Sequence, residues 1–195
     1  MKLHVIVVAY NRAIPLRTLI DCFMIQTCPD WDMTIIHDGP APDDVKQVIA
    51  LYAKEDRVTF IETEFREENW GNNNRRQMLQ ILDGGPEDFV LITNDDNYYV
   101  PKFIQMMFSV IKPNTGIVFC NFLHHTLEYR NMVSELKLNY IDMGAFIVRL
   151  HLAQQVGFAH NDSGADGMFA EECHAMAQRT GLQAIHINIT LFVHN

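Results

Sequence analysis

Residues 89–99 read FVLITNDDNYY, an apolar run that ends in acidic and amide side chains. A run of this kind is typical of a buried strand. Open α/β sheets bind ligands at the carboxyl ends of their strands, where Asp95 and Asp96 stand here between Asn94 and Asn97. Mg²⁺ and Mn²⁺ take carboxylate oxygens and complete their shells with water and substrate phosphates, so a divalent-metal site is predicted. The alternative is an Asx-rich turn.

Strands and helices alternate on both sides of this run. Apolar runs predict strands at residues 3–9, 33–37 and 58–61, and apolar residues at helical spacing predict helices near 15–24, 43–52, 72–82 and 101–111. The second half is less regular, with strands expected at 117–122, 136–140 and 184–189 and helices at 152–156 and 169–181. The alternation predicts an α/β fold with a doubly wound, mostly parallel, Rossmann-like sheet. Without a linker or repeat, we expect one domain, 1–195.

Three of the predicted loops carry polar side chains at strand ends: Tyr10 to Arg12, His37 to Gly39, and Asn94 to Asn97. Loops that are distant in sequence meet at the carboxyl edge of a parallel sheet. This convergence predicts one binding site.

Composition excludes several classes of protein. A formal net charge of −9 argues against a nucleic-acid binder, which normally displays a basic patch. The four cysteines have no Cys-x-x-Cys or zinc-like spacing, so we expect reduced thiols and a cytoplasmic protein. No segment is long and apolar enough to predict a signal peptide or a transmembrane segment.

With the loops placed, the sequence resembles family 2 of the nucleotide-diphospho-sugar glycosyltransferases, which are metal-dependent, inverting enzymes with the A-type fold. The resemblance spans nearly the whole chain and rests on these motifs: Val7 to Arg12, Gln26-Thr27, Ile36 to Gly39, Gly71 to Gln77, Asn94 to Asn97 at the Asp-x-Asp metal motif, and Ala165-Asp166 at the Glu-Asp pair that holds the catalytic base.

The resemblance implies roles for particular residues. Tyr10 would stack on the nucleotide base, Asp38 would bond the base or ribose, and Arg75 or Arg76 would face the donor. The remaining residues expected at the donor are Ala9, Arg12, Asn94 and Asp95. Residues 1–100 would form the nucleotide-sugar-binding half and residues 101–195 the acceptor-binding half.

The metal and the base follow from the same resemblance. Mn²⁺ or Mg²⁺ would bind Asp96 with support from Asp95, and His194 is a further candidate ligand, unless it is a disordered terminal residue. A metal ion would stabilise the charge that develops on the leaving diphosphate. Asp166 would accept the proton of the attacking hydroxyl. Its alternative role is a helix cap.

Two positions depart from the family pattern. Asn94 stands where the first acid of Asp-x-Asp is expected, and Ala165 replaces the glutamate beside the base. The first change bears on the strength of metal binding and the second on the pKa of Asp166.

The expected activity is transfer of a sugar, most simply a hexose, from a UDP-linked donor to a hydroxyl of a glycan, a lipid-linked sugar or a protein. The alternative is a non-catalytic nucleotide or sugar-binding module. A dinucleotide-dependent dehydrogenase does not fit, because no Gly-x-Gly-x-x-Gly follows the first strand. A nucleotidyltransferase would also need a glycine-rich phosphate loop there.

Four aromatic residues stay open on sequence grounds. Trp31 and Trp70 are either sugar-stacking residues or core residues. His124 and His125 adjoin a strand end near the acceptor side. Because neighbouring residues of a strand face opposite ways, we expect at most one of the two to face the site.

Overall fold

The computed structural model describes all residues, Met1–Asn195. Its first half is a parallel sheet centred on β1 (Leu3–Ala9), which pairs in parallel with β2 (Trp31–His37) and β4 (Phe89–Asn94). β3 (Val58–Glu62) pairs in parallel with β2. Every residue of β1 is buried, as expected for a β-branched run covered on both faces.

Three helices connect these strands: α1 (Ala13–Met24), α2 (Asp43–Ala50) and α3 (Asn72–Ile81). α1 packs on α2 and buries Leu16, Leu19, Ile20 and Phe23 in the core. α3 packs against β1. Strand and helix predictions for the first half are therefore confirmed, with boundaries shifted by a few residues.

The second half adds strands of mixed direction. It contains β5 (Tyr98–Tyr99), α4 (Phe103–Ser109), β6 (Thr115–His124), β7 (Arg130–Met132), β8 (Phe146–Arg149), α5 (Leu150–Val156), α6 (Ala165–Arg179) and β9 (Gln183–His194). The sheet order is β3-β2-β1-β4-β8-β6-β9-β5, with β7 paired to β6. β8 runs antiparallel to both β4 and β6, whereas β9 is parallel to β6.

The expectation of a mostly parallel sheet holds for the first four strands and fails beyond β4. The antiparallel β8 follows a long excursion through β6 and β7, so the simple strand-helix-strand rule does not apply to it. One hydrophobic core of 46 residues nevertheless runs through both halves. None of the helices combines the length and the apolar character that crossing a membrane requires.

Two predictions in the second half are wrong. Residues 136–140 form turns and not a strand, since alternation of apolar residues over so short a segment is weak evidence for pairing. The last strand does not end at 189 but continues to His194, so that histidine is held in the sheet and is not a disordered terminal residue.

Candidate functional site

A cavity of about 770 Å³ opens at the carboxyl ends of β1 and β4. It is lined by loop residues that follow these strands and by the start of α6. Among the lining residues are Ala9, Tyr10, Arg12, Asp38, Arg75, Asn94, Asp96, Asp166 and His194. The structure thus brings together nine of the eleven residues predicted for the site. The other two, Asp95 and Arg76, lie outside the cavity lining.

Asp95 and Asp96 point to different surroundings although they are adjacent. Asp95 is fully buried, and its Oδ2 accepts a hydrogen bond of 3.0 Å from the Tyr10 backbone N–H. Its Oδ1 lies 3.2 Å from Arg12 Nη2. Burial raises the pKa of Asp95 to about 6, although the Arg12 charge opposes that rise. Asp95 therefore fixes the loop after β1, and Asp96, paired with the Arg12 guanidinium, is the acid that faces the cavity.

Tyr10 and Asp38 form one end of the cavity. The Arg66 guanidinium lies over the Tyr10 ring, 3.9 Å from its centroid, in a cation-π contact. Asp38 is 4% exposed, and its Oδ1 accepts hydrogen bonds of 2.9 Å from Asn74 Nδ2 and from the Glu67 N–H. Arg66 was not predicted. A cation within the otherwise acidic segment 62–68 was the available signal for it.

Arg75 joins the two sides of the cavity and is only 3% exposed. Its guanidinium donates to the Trp70 carbonyl, to Asn72 Oδ1 at 2.8 Å and to Asn94 Oδ1. Burial lowers the pKa of Arg75 to about 10, with nearby carboxylates, Asp166 first among them, acting against that fall. Arg75 therefore remains a cation at neutral pH, and the amide of Asn94 serves as its acceptor.

Arg76 faces a different part of the molecule. It donates to the carbonyls of Phe158 and Ala159, each at 2.7 Å, and to Asn161 Oδ1. This guanidinium holds the segment that leads into α6. Of the two adjacent arginines, only Arg75 lines the cavity.

The segment Glu68 to Gly71 has an unusual backbone. All four residues have positive φ angles, 55°, 45°, 59° and 73° in order. Such conformations cost free energy in residues other than glycine and concentrate at functional sites. They hold Trp70 at the cavity with 72% of its surface exposed, whereas Trp31 is buried in the core. Trp70 is thus the tryptophan available to a ligand.

Asp142, Asp166 and His194 form the acidic end of the cavity. His194 Nδ1 lies 2.7 Å from Asp142 Oδ2. Burial works to lower the pKa of His194, but Asp142, with help from Asp96 and Asp166, outweighs it and the pKa is raised. Burial, followed by the charge of Asp142, raises the pKa of Asp166 to about 6.

Asp166 is not the N-cap residue of α6, but its side chain bonds within the first turn. The helix begins at Ala165 after Gly164, whose position provides no side-chain cap. Asp166 Oδ1 accepts a hydrogen bond of 2.8 Å from the Gly167 N–H, which leaves Oδ2 free for a ligand. A partly buried carboxylate with a raised pKa at a cavity is a candidate acid or base.

The residues around this end have the chemistry of a divalent-cation site, but no three of their ligand atoms lie within 4.8 Å of one another, so a cation held here would take at most two of them and complete its shell with water and phosphate oxygens. Asp96, Asp142 and Asp166 are three carboxylates that line the same cavity as the His194 imidazole. Oxygen ligands with one nitrogen suit Mn²⁺ and are compatible with Mg²⁺. Asp95 does not belong to this set, because its side chain is buried away from the cavity.

Comparison with known proteins identifies similar sequences and folds. The model of the family described as Glycosyl transferase family 2 matches residues 4–165. No curated protein matches the chain at a significant level. Among solved structures, S. aureus TarS residues 1–349 has a TM-score of 0.79 at 16% identity, covering 100% of this chain and 60% of that one.

Two further solved structures carry bound ligands. TarS 1–349 in complex with UDP-GlcNAc has a TM-score of 0.79 at 16% identity and covers 100% of this chain and 58% of that one. The mannosyltransferase PcManGT from Pyrobaculum calidifontis, in complex with GDP-Man and Mn²⁺, has a TM-score of 0.72 at 16% identity, covering 99% of this chain and 56% of that one. The chain therefore spans less than two thirds of the length of these structures, and identities this low show a shared fold alone.

Proposed function

Since this chain belongs to glycosyl transferase family 2 and has the A-type fold of its structural neighbours, we propose that it transfers a hexose from a nucleotide-diphospho-sugar to an acceptor hydroxyl. The observation that carries the proposal is the convergence of Tyr10, Asp38, Asp96 and Asp166 on one cavity from four distant parts of the chain. The acceptor is a glycan, a lipid-linked sugar or a protein.

The end of the cavity around Tyr10 suits a nucleoside. A base would stack on the Tyr10 ring where the Arg66 guanidinium now lies. Asp38 Oδ1 is held by Asn74 and by the Glu67 N–H, so Oδ2 is the atom available to a base or ribose. A UDP-linked donor is supported by the UDP and UDP-GlcNAc complexes of TarS, and the GDP-Man complex of PcManGT makes GDP the comparison nucleotide.

The diphosphate would lie near Asp96, where Mn²⁺ or Mg²⁺ would be held by Asp96 and His194. Bound there, the ion would stabilise as a Lewis acid the negative charge of the leaving nucleoside diphosphate. The Asp142 carboxylate lies 2.7 Å from His194 Nδ1 and would hold a proton on that nitrogen, which would leave Nε2 as the metal ligand. Arg12 now neutralises Asp96, and its guanidinium is a second cation for phosphate oxygens.

Asp166 is the proposed base. With a pKa of about 6 it is ionised at neutral pH and still basic enough to take a proton from the attacking hydroxyl as the bond to the anomeric carbon forms. A single displacement assisted by one carboxylate inverts the anomeric configuration. Trp70, exposed at the same cavity, would stack on a sugar ring.

One observation favours the alternative of a non-catalytic nucleotide or sugar-binding module. Asp96 is already paired with Arg12, and the first position of the metal motif is the neutral Asn94, which accepts from Arg75. Such a module would bind a nucleotide without a metal and would leave the donor intact.

The test combines binding with turnover. UDP and GDP are titrated calorimetrically into wild type, Asp96→Asn and Asp166→Asn with and without Mn²⁺, and release of UDP from UDP-hexoses is followed. We expect Mn²⁺-dependent UDP binding that Asp96→Asn loses and Asp166→Asn keeps, while both variants lose turnover. Asp56→Asn, an exposed carboxylate outside the cavity, is the control. Full turnover in both site variants would refute the assignment, and metal-independent binding without turnover would favour the module.

A further inference from the structure

Three histidines form a cluster beside the acidic end of the cavity: His124, His125 and His194, here called the imidazole cluster. β6 ends at His124, whose register partner in β9 is His194. The chain then turns at His125 into a short 3-10 helix. This turn breaks the alternation of the strand, so His125 faces the same side as His124, contrary to the sequence expectation.

The three rings are stacked face to face. Ring centroids lie 4.3 Å apart for His124 and His194, 5.4 Å for His124 and His125, and 5.5 Å for His125 and His194. One ring nitrogen from each residue lies within 4.8 Å of the other two. Three ring nitrogens this close to one another are placed to share one cation.

Two of the rings have a polar neighbour from outside the cluster, and in both rings that neighbour lies at Nδ1. His124 Nδ1 lies 2.8 Å from Thr126 Oγ1, and His194 Nδ1 lies 2.7 Å from Asp142 Oδ2. Histidines that bind metals typically engage their other ring nitrogen with a hydroxyl, carbonyl or carboxylate in this way. His124 Nδ1 also accepts a hydrogen bond of 3.3 Å from the Thr126 N–H, so a metal ion at Nε2 requires the ring proton to move to Nδ1, where the Thr126 hydroxyl can accept it. The Asp142 carboxylate beside His194 Nδ1 likewise leaves Nε2 of that ring as the ligand. The His125 ring makes no hydrogen bond and is exposed, so it is free to adjust.

We propose that the imidazole cluster binds a late first-row transition metal ion, with Zn²⁺ as the best fit, through His124, His125 and His194 and one water molecule. Neutral imidazoles suit Zn²⁺, Cu²⁺ and Ni²⁺, whereas Mg²⁺ requires oxygen ligands. A tetrahedral zinc site with Zn–N bonds of about 2.0–2.1 Å places its nitrogens roughly 3.4 Å apart. Since a bound metal ion lies in the plane of each imidazole, the three nearly parallel rings must turn toward a common point, and the exposed His125 ring has the room to do so.

Sharing of His194 links this site to the donor cavity. Zn²⁺ bound to the cluster would occupy His194 and withdraw it from the ion held by Asp96. Zinc would then inhibit transfer, and saturating Mn²⁺ with donor would oppose zinc binding. This consequence rests on the proposed function, whereas the zinc site itself does not.

Direct metal binding tests the site. Zn²⁺ is titrated into metal-free protein in competition with a chromophoric chelator, and Co²⁺ is used as a spectroscopic probe, since tetrahedral cobalt absorbs visible light strongly. We expect one Zn²⁺ per chain and a tetrahedral Co²⁺ spectrum. His124→Ala and His125→Ala should each weaken zinc binding by about a hundredfold, and Thr126→Val by roughly tenfold, as for loss of an outer partner.

The control is His151→Ala, which removes an exposed histidine on α5 whose ring is hydrogen-bonded to Gln154. It should leave zinc affinity unchanged. Equal zinc affinities in wild type, His124→Ala and His125→Ala would overturn the proposal, as would an octahedral Co²⁺ spectrum. UDP titration of His125→Ala without zinc reports separately on the donor site: zinc binding without UDP binding refutes only the proposed function, and UDP binding without zinc binding refutes only the imidazole site.

Discussion

Asp166→Asn is expected to make the protein more stable at neutral pH while removing the proposed base. Asp166 is a partly buried carboxylate whose charged form is disfavoured first by burial and then by Asp142. Asparagine removes the charge and keeps the oxygen that accepts the 2.8 Å hydrogen bond from the Gly167 N–H. The substitution therefore removes an unfavourable charge without leaving a backbone donor unpaired.

The size of the effect follows from the pKa of Asp166, which rises from 3.8 to about 6 on folding. Each pKa unit corresponds to about 1.4 kcal/mol, so the full penalty is about 3 kcal/mol, and solvent access to the side chain reduces it to about 1–3 kcal/mol. Between about pH 4 and pH 6 the folded state holds a proton that the unfolded state has lost, so wild-type stability falls as pH rises. Above pH 6 the penalty is constant.

The measurement is urea unfolding of wild type and Asp166→Asn at pH 4.0, 5.0, 6.0 and 7.5, with a chelator present so that no metal ion neutralises the carboxylate. The two free energies of unfolding should agree at pH 4.0 and diverge to about 1–3 kcal/mol at pH 7.5. Asp162→Asn, an exposed acid that also accepts a backbone hydrogen bond, from Gly164, is the control and should show little difference. The reasoning would be refuted if Asp166→Asn were less stable than wild type at pH 7.5, or if its free energy of unfolding differed from that of wild type by the same amount at every pH.

Three further predictions concern stability. Gly71→Ala should lower the free energy of unfolding by about 2 kcal/mol or more beyond the loss caused by Gly181→Ala, in thermal or urea unfolding. Both glycines have φ near +73°, but only at Gly71 would the new Cβ meet another atom, Val8 Cγ1, at 2.5 Å. In urea unfolding, Arg75→Met should lower the free energy of unfolding by about 3–5 kcal/mol, because it removes a buried cation from among carboxylates and leaves the Asn94 side chain and the Trp70 carbonyl unpaired. Arg130→Met, at an exposed arginine, should have little effect in the same measurement. His4 has a raised pKa, since Asp32 and Asp88 outweigh the effect of burial, so its contribution to stability is complete below about pH 6.5 and is lost as pH rises through the folded pKa. Urea unfolding of His4→Gln should show a deficit relative to wild type that shrinks as the pH is raised above about 6.5.

The parallel half of the fold could be predicted because its signals are local. β1 is apolar except for His4, β4 is apolar up to Thr93, and each strand is followed by polar residues. The resemblance to family 2 is confirmed by the match over residues 4–165. The gathering of Tyr10, Asp38 and Asp96 at one edge followed from the rule that parallel strands end together.

What could not be predicted depends on the direction of individual side chains. Asp95 and Asp96 are chemically alike, and only the exact end of β4 decides that the first is buried beneath the loop and the second faces the cavity. Arg75 and Arg76 are adjacent on α3, and about 100° of helical rotation separates the cavity from the 158–161 segment. For β9 the signal was weak, because many residues before Leu191 are partly or fully exposed.

The position of β9 has a consequence for the order of folding. β5 pairs only with β9. The pairing of Tyr98 with Val193 and the stacking of the Tyr99 and Phe192 rings can therefore form only after β9 has reached the sheet. Contacts between residues so distant in sequence form slowly, because a long loop must close first. The parallel strands can therefore assemble early, but β5, which follows the turn that carries Asp96, is paired only when the last strand inserts. An intermediate that lacks β9 would keep much of the core but would have no His194 at the cavity.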